Sequence, residues 1–356
     1  MELYNLEFSA EAVREAAAAG RLLSMEIEFS RRCNFRCVYC YVENRVAGQN
    51  ELSPEESRDV IVQARDLGAR KIIILGGEPS IDPNLPAMLR FIAGLGLDIE
   101  IFTNGSGISR ELAALLAAGR ARVALKLNSR NPELQDRLAG KKGAAALIGQ
   151  ALANLREAGY PRNGLFLALS TVICRQNLVE LPELWRWMRG QNIEPYFEVI
   201  TPQGHAREQH GLAVSGPELK ELFERLAQID REEFGRIWEP QPPLAGNRCM
   251  RHLVSCLVTA TGEVMPCVGV TLSQGNIRER KLADILHESP VIRDLKNYRQ
   301  SIKGPCRTCE KAAECYGCRG AAYQLTGDYL ASDPTCWRNC PDGAEPACIA
   351  GPTDPT

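Results

Sequence analysis

The sequence predicts an α/β protein built from parallel βα units, closed or partly closed into a barrel, with a small cysteine-rich domain after it. Six short apolar runs alternate with helical stretches between residues 24 and 235, the pattern of parallel βα units. Polar residues recur inside those runs at strand period, which calls for a lumen to receive them. The alternation stops at Trp238-Glu239-Pro240-Gln241-Pro242-Pro243, a proline-rich break, and cysteines dominate the chain beyond it.

Residues 9–20 form a short Ala-rich helix, and SMEIEFS (24–30) is the first strand. Ser53-Pro54-Glu55-Glu56 combines an N-cap, a proline at the first helical position and a capping-box Glu, opening a helix to Gly68. KIIILGG (71–77) is an apolar run of buried-strand type, followed by a helix to about residue 95. LDIEIFTN (97–104), RVALKLN (122–128), LFLALSTVIC (165–174) and EPYFEVIT (194–201) are the remaining strands. Helices lie at 108–119, 143–158 and 178–190, and one from Pro217 closes the set. Glu26, Glu28, Lys126, Asn128, Ser170 and Glu198 are the polar strand residues; period 2 puts Lys126 and Asn128 on one face, opposite Leu125 and Leu127. The domain division is 1–21, a helical lead-in; 22–237, the barrel; 238–248, a Pro-rich linker; 249–340, the cysteine-rich domain; and 341–356, a tail.

The chain has 356 residues, 45% of them hydrophobic, enough for one large core or two ordinary ones. A net charge of −2 with 24% charged residues points to no nucleic-acid or polyanion partner. No run approaches the roughly 20 apolar residues of a membrane span. The opening stretch has early acids and no apolar core, so no signal peptide is expected and the cytoplasm is the expected location. Ten of the fourteen cysteines lie after residue 248. In a reducing compartment such clustering points to metal rather than disulfides.

Cys33, Cys37 and Cys40 are spaced C-x3-C-x2-C directly after the first strand. Three soft thiolates on one loop suit three irons of a [4Fe-4S] cube and leave the fourth iron open for chemistry. The alternative is a structural zinc knuckle completed by a distant ligand. The second strand ends in Gly76-Gly77-Glu78-Pro79. Glycines there let a ligand approach the backbone, and a Glu can accept from an ammonium group. Ligands collect at the C-terminal ends of parallel strands.

On these residues the sequence resembles the radical S-adenosylmethionine (SAM) superfamily. Cys33, Cys37 and Cys40 match its cluster motif, and Tyr39 its aromatic position by the adenine. Gly76, Gly77 and Glu78 match the motif that holds the methionine amino group, and Thr103-Asn104-Gly105 its third-strand turn. Asn128 stands where many members carry an Asp near the ribose, and Ser170 lies on a strand that often supplies another ribose contact. The resemblance implies a partial (β/α)6 TIM-like barrel that chelates SAM on the open iron. One electron then splits SAM to methionine and a 5′-deoxyadenosyl radical, which takes a hydrogen atom from the substrate. It also implies a reducing donor such as flavodoxin or ferredoxin. Lys126 departs from the small hydroxyl residue usual beside Asn128; either it binds a carboxylate or its stem is packed. Arg137 and Lys141 are either ligands for the SAM carboxylate or a solvated helix end.

The second cysteine group resembles the SPASM extension of such enzymes, an iron–sulfur domain: Cys249, Cys256, Gly262-x4-Cys267, then Cys306-x2-Cys309-x5-Cys315-x2-Cys318, and Cys336. The resemblance assigns Cys249, Cys256, Cys267 and Cys318 to one auxiliary [4Fe-4S] cluster. It assigns Cys306, Cys309, Cys315 and Cys336 to a second, with Cys340 competing for the last place. Three clusters in all are expected. Two zinc ribbons are the alternative. Cys174 reads as a packed thiol and Cys348 as a tail residue.

SPASM enzymes often oxidise peptides or proteins, so the expected activity is maturation of a peptide substrate. Residues 1–21 are too few for a leader-binding domain, which points to a separate leader-binding protein. Val268 stands where the sulfatase-maturing group carries an Asp, which excludes that activity. A small-molecule substrate, a sugar or tetrapyrrole, is the second reading, and a non-catalytic iron–sulfur or zinc protein the third.

Overall fold

The computed structural model describes residues 8–42 and 48–339. Six strands, β1 (Ser24–Glu28), β2 (Lys71–Leu75), β3 (Asp98–Thr103), β4 (Arg122–Lys126), β5 (Leu167–Ile173) and β6 (Glu194–Val199), pair in sequence order, all parallel. The helices between them are α2 (Pro54–Asp66), α3 (Leu85–Gly94), α4 (Arg110–Ala118), α5 (Pro132–Ala139), α6 (Ala144–Glu157) and α7 (Leu181–Gly190); α1 (Ala10–Ala18) precedes the sheet and α8 (Gly216–Phe234) follows β6. This is the mixed α/β, mostly parallel architecture that the alternation predicts.

β1, β2 and β5 are buried along their whole length. Ile72 and Ile74 join the large outer core, while Ile73 and Leu75 join a smaller inner cluster with Leu257. Two-sided burial explains the unbroken KIIIL run. The Ser53 capping box forms as its residues predict, the Ser53 side chain accepting from Glu56 N while Glu56 accepts from Ser53 N. Trp185 of α7 packs edge-on against Phe197 of β6 at 5.0 Å and donates to buried Asp230 of α8 at 2.7 Å. The helix α5 has no counterpart among the elements expected from the sequence. Its start repeats the Ser53-Pro54 signal as Asn131-Pro132, with the Asn131 side chain accepting from the N–H groups of Glu133 and Leu134.

The C-terminal part extends the same sheet. β7 (Leu257–Val258) pairs parallel to β1, and β8 (Val264–Met265) pairs antiparallel to β7. The segment 238–248, expected as a linker, is pinned along β6: Val199 N donates to Pro243 O (2.8 Å) and Ala245 N to Phe197 O (3.0 Å). The rest is short helices: α9 (Arg251–Val254), α10 (Leu282–Glu288), α11 (Pro290–Lys296), α12 (Tyr298–Ser301), α13 (Pro305–Thr308) and α14 (Arg319–Thr326). Cys340, Cys348 and the tail 341–356 lie outside the described residues. Among the described residues no helix is long and apolar enough to cross a membrane.

Candidate active site

The loop carrying Cys33, Cys37 and Cys40 leaves the C-terminal end of β1 and is clamped from three sides. At the end of β2, Gly77 N donates to Ser30 O (2.7 Å) and Glu78 N to Arg32 O (2.8 Å). A Cβ on Gly77 would lie 2.0 Å from Arg32 O, so this approach requires glycine. After α5, Arg36 N and Val38 N donate to Ala139 O and Leu138 O, and Gly140 abuts Arg36 O. After β6, His205 N donates to Cys40 O (2.9 Å) beside Gly204. Phe35 anchors the loop in the core.

Glu78 is buried, and both of its carboxylate oxygens accept hydrogen bonds. Oε1 accepts from Thr103 Oγ1 (2.5 Å) and Ser80 N (2.8 Å), and Oε2 from Asn104 N (2.5 Å). Burial raises its pKa, and these bonds oppose the rise. Asn104 also donates toward Cys33 Sγ (3.8 Å) and to Asn34 Oδ1 (3.2 Å). Thus the second- and third-strand turns meet the cysteine loop at one place. A cavity of about 190 Å³ opens beside Glu78, lined in part by Ser30, Arg32, Glu51, Asp82 and Asn84.

Tyr39 connects this centre to the lumen. Asn128 Nδ2 donates to its hydroxyl (2.5 Å), while Asn128 Oδ1 accepts from Val172 N (2.9 Å). Both ends of the Asn128 amide therefore hold protein groups, and one of them orients Tyr39. Lys126 crosses the mouth, donating to Ser170 Oγ (3.2 Å) and pairing with Glu198 (3.3 Å), with its ammonium 5.2 Å from the Tyr39 ring centre. Glu28 accepts from Tyr41 OH (3.2 Å) and Ala260 N (3.2 Å). Glu26 pairs with Arg251. The polar strand residues thus face inward, as their period predicts. Val268 packs with Leu75, Phe102 and Met265, an apolar patch over the lumen.

The C-terminal thiols form two groups. Cys306, Cys309, Cys315 and Cys336 line one small pocket with Gln241, Pro242, Asp333 and Asn339. Three N–H groups aim at its sulfurs: Asn339 Nδ2 to Cys306 (3.1 Å), Asp333 N to Cys306 (3.4 Å) and Gly317 N to Cys315 (3.2 Å). Cys249 lies close enough to Cys267 and Cys318 to raise both, and Tyr316 OH donates to Cys249 Sγ (3.3 Å). Cys256 is buried, which raises its thiol; Glu26 raises it further and Lys296 opposes the rise.

These donors fit iron–sulfur ligation. Burial pushes Cys37, Cys267 and Cys336 up to about 12, so the apo thiols stay protonated until a metal displaces the protons. Among the described residues no three such side chains converge as a single-ion site. Sequence reasoning missed Ser80, Asn34, Gly140, Gly204, Tyr316 and Asp333. Tyr316 alone had a local signal, since it sits inside Cys315-x2-Cys318 as Tyr39 sits inside Cys37-x2-Cys40.

Comparison with known proteins agrees with this geometry. Residues 27–188 match the Radical SAM superfamily, and residues 249–310 match SPASM, an iron–sulfur cluster-binding domain. A PqqA peptide cyclase of Rhizobium meliloti is 31% identical over 89% of this chain and 87% of its own. An AdoMet-dependent heme synthase of Methanosarcina barkeri is 27% identical over 89% of this chain and 96% of its own. The crystal structure of Streptococcus suis SuiB bound to S-adenosylmethionine superposes with a TM-score of 0.70 at 18% identity, covering 92% of this chain and 80% of that one. These matches, spanning the sheet and the cysteine-rich part, show that the chain belongs to the radical SAM superfamily and is an enzyme with a C-terminal SPASM domain.

Proposed function

We propose that the enzyme oxidises a peptide or protein substrate at the expense of SAM. The likeness to a PqqA peptide cyclase at 31% identity over nearly the whole of both chains carries this reading. Cys33, Cys37 and Cys40 would hold the catalytic [4Fe-4S] cluster, and Gly76, Gly77, Glu78, Thr103 and Asn104 the methionine end of SAM. Tyr39, Asn128 and Ser170 would flank the adenosine, and Lys126 a carboxylate of the cofactor or substrate. When bound, cluster and SAM together supply a 5′-deoxyadenosyl radical that abstracts hydrogen. The protein's part is to bury Glu78 against an arriving ammonium, to hold Tyr39 through Asn128, and to keep the Lys126–Glu198 pair at the mouth. Cys306, Cys309, Cys315 and Cys336 would hold one auxiliary cluster, and Cys249, Cys267 and Cys318 another. Cys256 would complete the latter. An external one-electron donor of flavodoxin or ferredoxin type would serve the catalytic cluster, and a separate leader-binding protein would deliver a peptide substrate. A tetrapyrrole is the second reading, favoured by the likeness to a heme synthase over 96% of that chain.

The test traces the abstracted hydrogen. The reconstituted enzyme, SAM and a strong reductant are incubated with lysate of cells grown in deuterated water. Deuterium should enter 5′-deoxyadenosine, and protease treatment of the lysate should abolish that transfer. Transfer that survives protease and tracks the small-molecule fraction would replace the peptide reading with the second one. A Cys37→Ala variant should release no 5′-deoxyadenosine; undiminished release would reject the catalytic assignment.

A further inference from the structure

Arg319 opens α14 directly after Cys318 and is only 1% exposed. A guanidinium keeps its charge even there. Its Nη1 donates to Tyr329 O (3.1 Å) and Ala331 O (2.5 Å). Its Nε and Nη2 are buried without an acceptor among the described residues. No carboxylate among those residues pairs with it, and a buried cation lacking an anion is costly. Asp328 is close enough to feel its charge, yet no carboxylate among the described residues satisfies Nε or Nη2.

A Cβ on Gly317 would meet Arg319 Nη2 at 2.8 Å, which puts the guanidinium against the backbone between Cys315 and Cys318. That stretch joins the four-thiol pocket to the three-thiol group. His252 lies on the other side, and burial together with Arg319 and Arg251 pushes it down to about 3, so it stays neutral and supplies no anion. Its Nδ1 is likewise buried without a partner among the described residues. Asp333, fully buried, approaches the same Gly317 position from its own side, its Cβ also at 2.8 Å. Its carboxylate is fixed by Cys318 N (2.7 Å), Thr335 N (2.9 Å) and Thr335 Oγ1 (2.7 Å). Asp333 therefore touches both thiol groups, through Cys318 N on one side and, by its own N–H, Cys306 Sγ (3.4 Å) on the other. The thiolates of a bound iron–sulfur cluster would add negative charge beside these two groups.

We propose that Arg319 and Asp333 are a buried pair of opposed charges that positions the reduction potential of the auxiliary cluster held through Cys318, the guanidinium raising it and the carboxylate lowering it. Reduction adds negative charge, which a nearby cation in a low-dielectric interior favours and an anion opposes. The proposal rests on the reading that these thiolates hold clusters.

Wild-type enzyme, Arg319→Gln, Arg319→Lys and Asp333→Asn are reconstituted anaerobically, analysed for iron, and titrated redox-wise while the EPR signals that SAM does not alter are monitored. Arg319→Gln should lower the auxiliary potential, changing the reduced-to-oxidised ratio at fixed potential at least tenfold, or 59 mV for one electron. Arg319→Lys should stay near wild type, and Asp333→Asn should shift the other way. Variants with wild-type iron whose potentials do not move, or move in the same direction, overturn the proposal. If Arg319→Gln fails to load iron, the upward shift of Asp333→Asn decides alone. Wild-type protein without auxiliary iron would instead reject the cluster reading and leave Arg319 unexplained.

Discussion

Gly77→Ala tests whether the glycines after β2 serve the approach of the cysteine loop. The added Cβ would lie 2.0 Å from the Arg32 carbonyl oxygen, 2.4 Å from its carbon and 2.6 Å from Arg31 O. All three are backbone atoms, so no side chain can swing aside. Ordinary contact begins at 3.4 Å, so the loop must retreat by about 1.4 Å. That retreat breaks the bonds from Gly77 N to Ser30 O and from Glu78 N to Arg32 O. Each is worth about 1 kcal/mol, and overpacking adds about 1–3 kcal/mol. A local cost of about 3–5 kcal/mol on the loop of Cys33, Cys37 and Cys40 leaves the rest of the fold intact. After anaerobic reconstitution, iron analysis should show the catalytic cluster's share lost, and calorimetry should show SAM binding at least tenfold weaker. Gly94→Ala is the control: it ends α3 with no atom within 4 Å of the new methyl, and should be neutral or stabilising by up to about 1 kcal/mol. Wild-type iron content and SAM affinity in Gly77→Ala would refute the close-approach argument.

Glu78→Gln keeps the shape and removes the charge, so SAM affinity should fall at least tenfold by calorimetry. Because burial raises the folded pKa of Glu78 above 4.5, the unliganded chain loses stability as pH climbs from 4.5 through the raised value; the Gln variant should lose that slope, and an unchanged slope would assign it to another group. His252 shows the opposite sense: its folded pKa of about 3 lies below 6.5, so stability drops as pH falls below 6.5 toward 3. Urea unfolding at pH 7 and pH 5 should differ by about 1–2 kcal/mol from this group, and His252→Phe, which keeps a ring on Tyr316, should remove the difference. Asp230 is fully buried and accepts from Trp185, Trp238 and Arg189. Asp230→Ala should cost about 3–5 kcal/mol in urea, and a loss under about 1 kcal/mol would show that the network is dispensable.

The parallel sheet was legible because strands such as β2 keep unbroken apolar runs and several helices carry a local start signal, as Ser53-Pro54 does. The catalytic loop was legible because its spacing is local. What escaped detection depended on contacts between distant segments. Gly140 and Gly204 look like ordinary turn residues until Arg36 and Cys40 come against them. Nothing within two residues of Pro243 announces that it will accept a bond from Val199, and β7 is only two residues long, too short for any period to register. Arg319 and Asp333 carry no motif; only burial without partners distinguishes the first, and a fixed carboxylate between two thiol groups the second.

One stretch of chain, from Pro243 to Met265, occupies both outer edges of the parallel sheet, lying on β6 at one side and β1 at the other. The cysteine-rich part is therefore the barrel's edge protection as well as its companion. A chain ending at residue 237 would present two bare rows of N–H and C=O groups, each a template for a neighbouring molecule. Such a truncation should self-associate rather than persist as a smaller monomeric enzyme. Air damage that unseats the C-terminal thiols should likewise appear first as stickiness, with precipitation preceding any unfolding of the parallel strands.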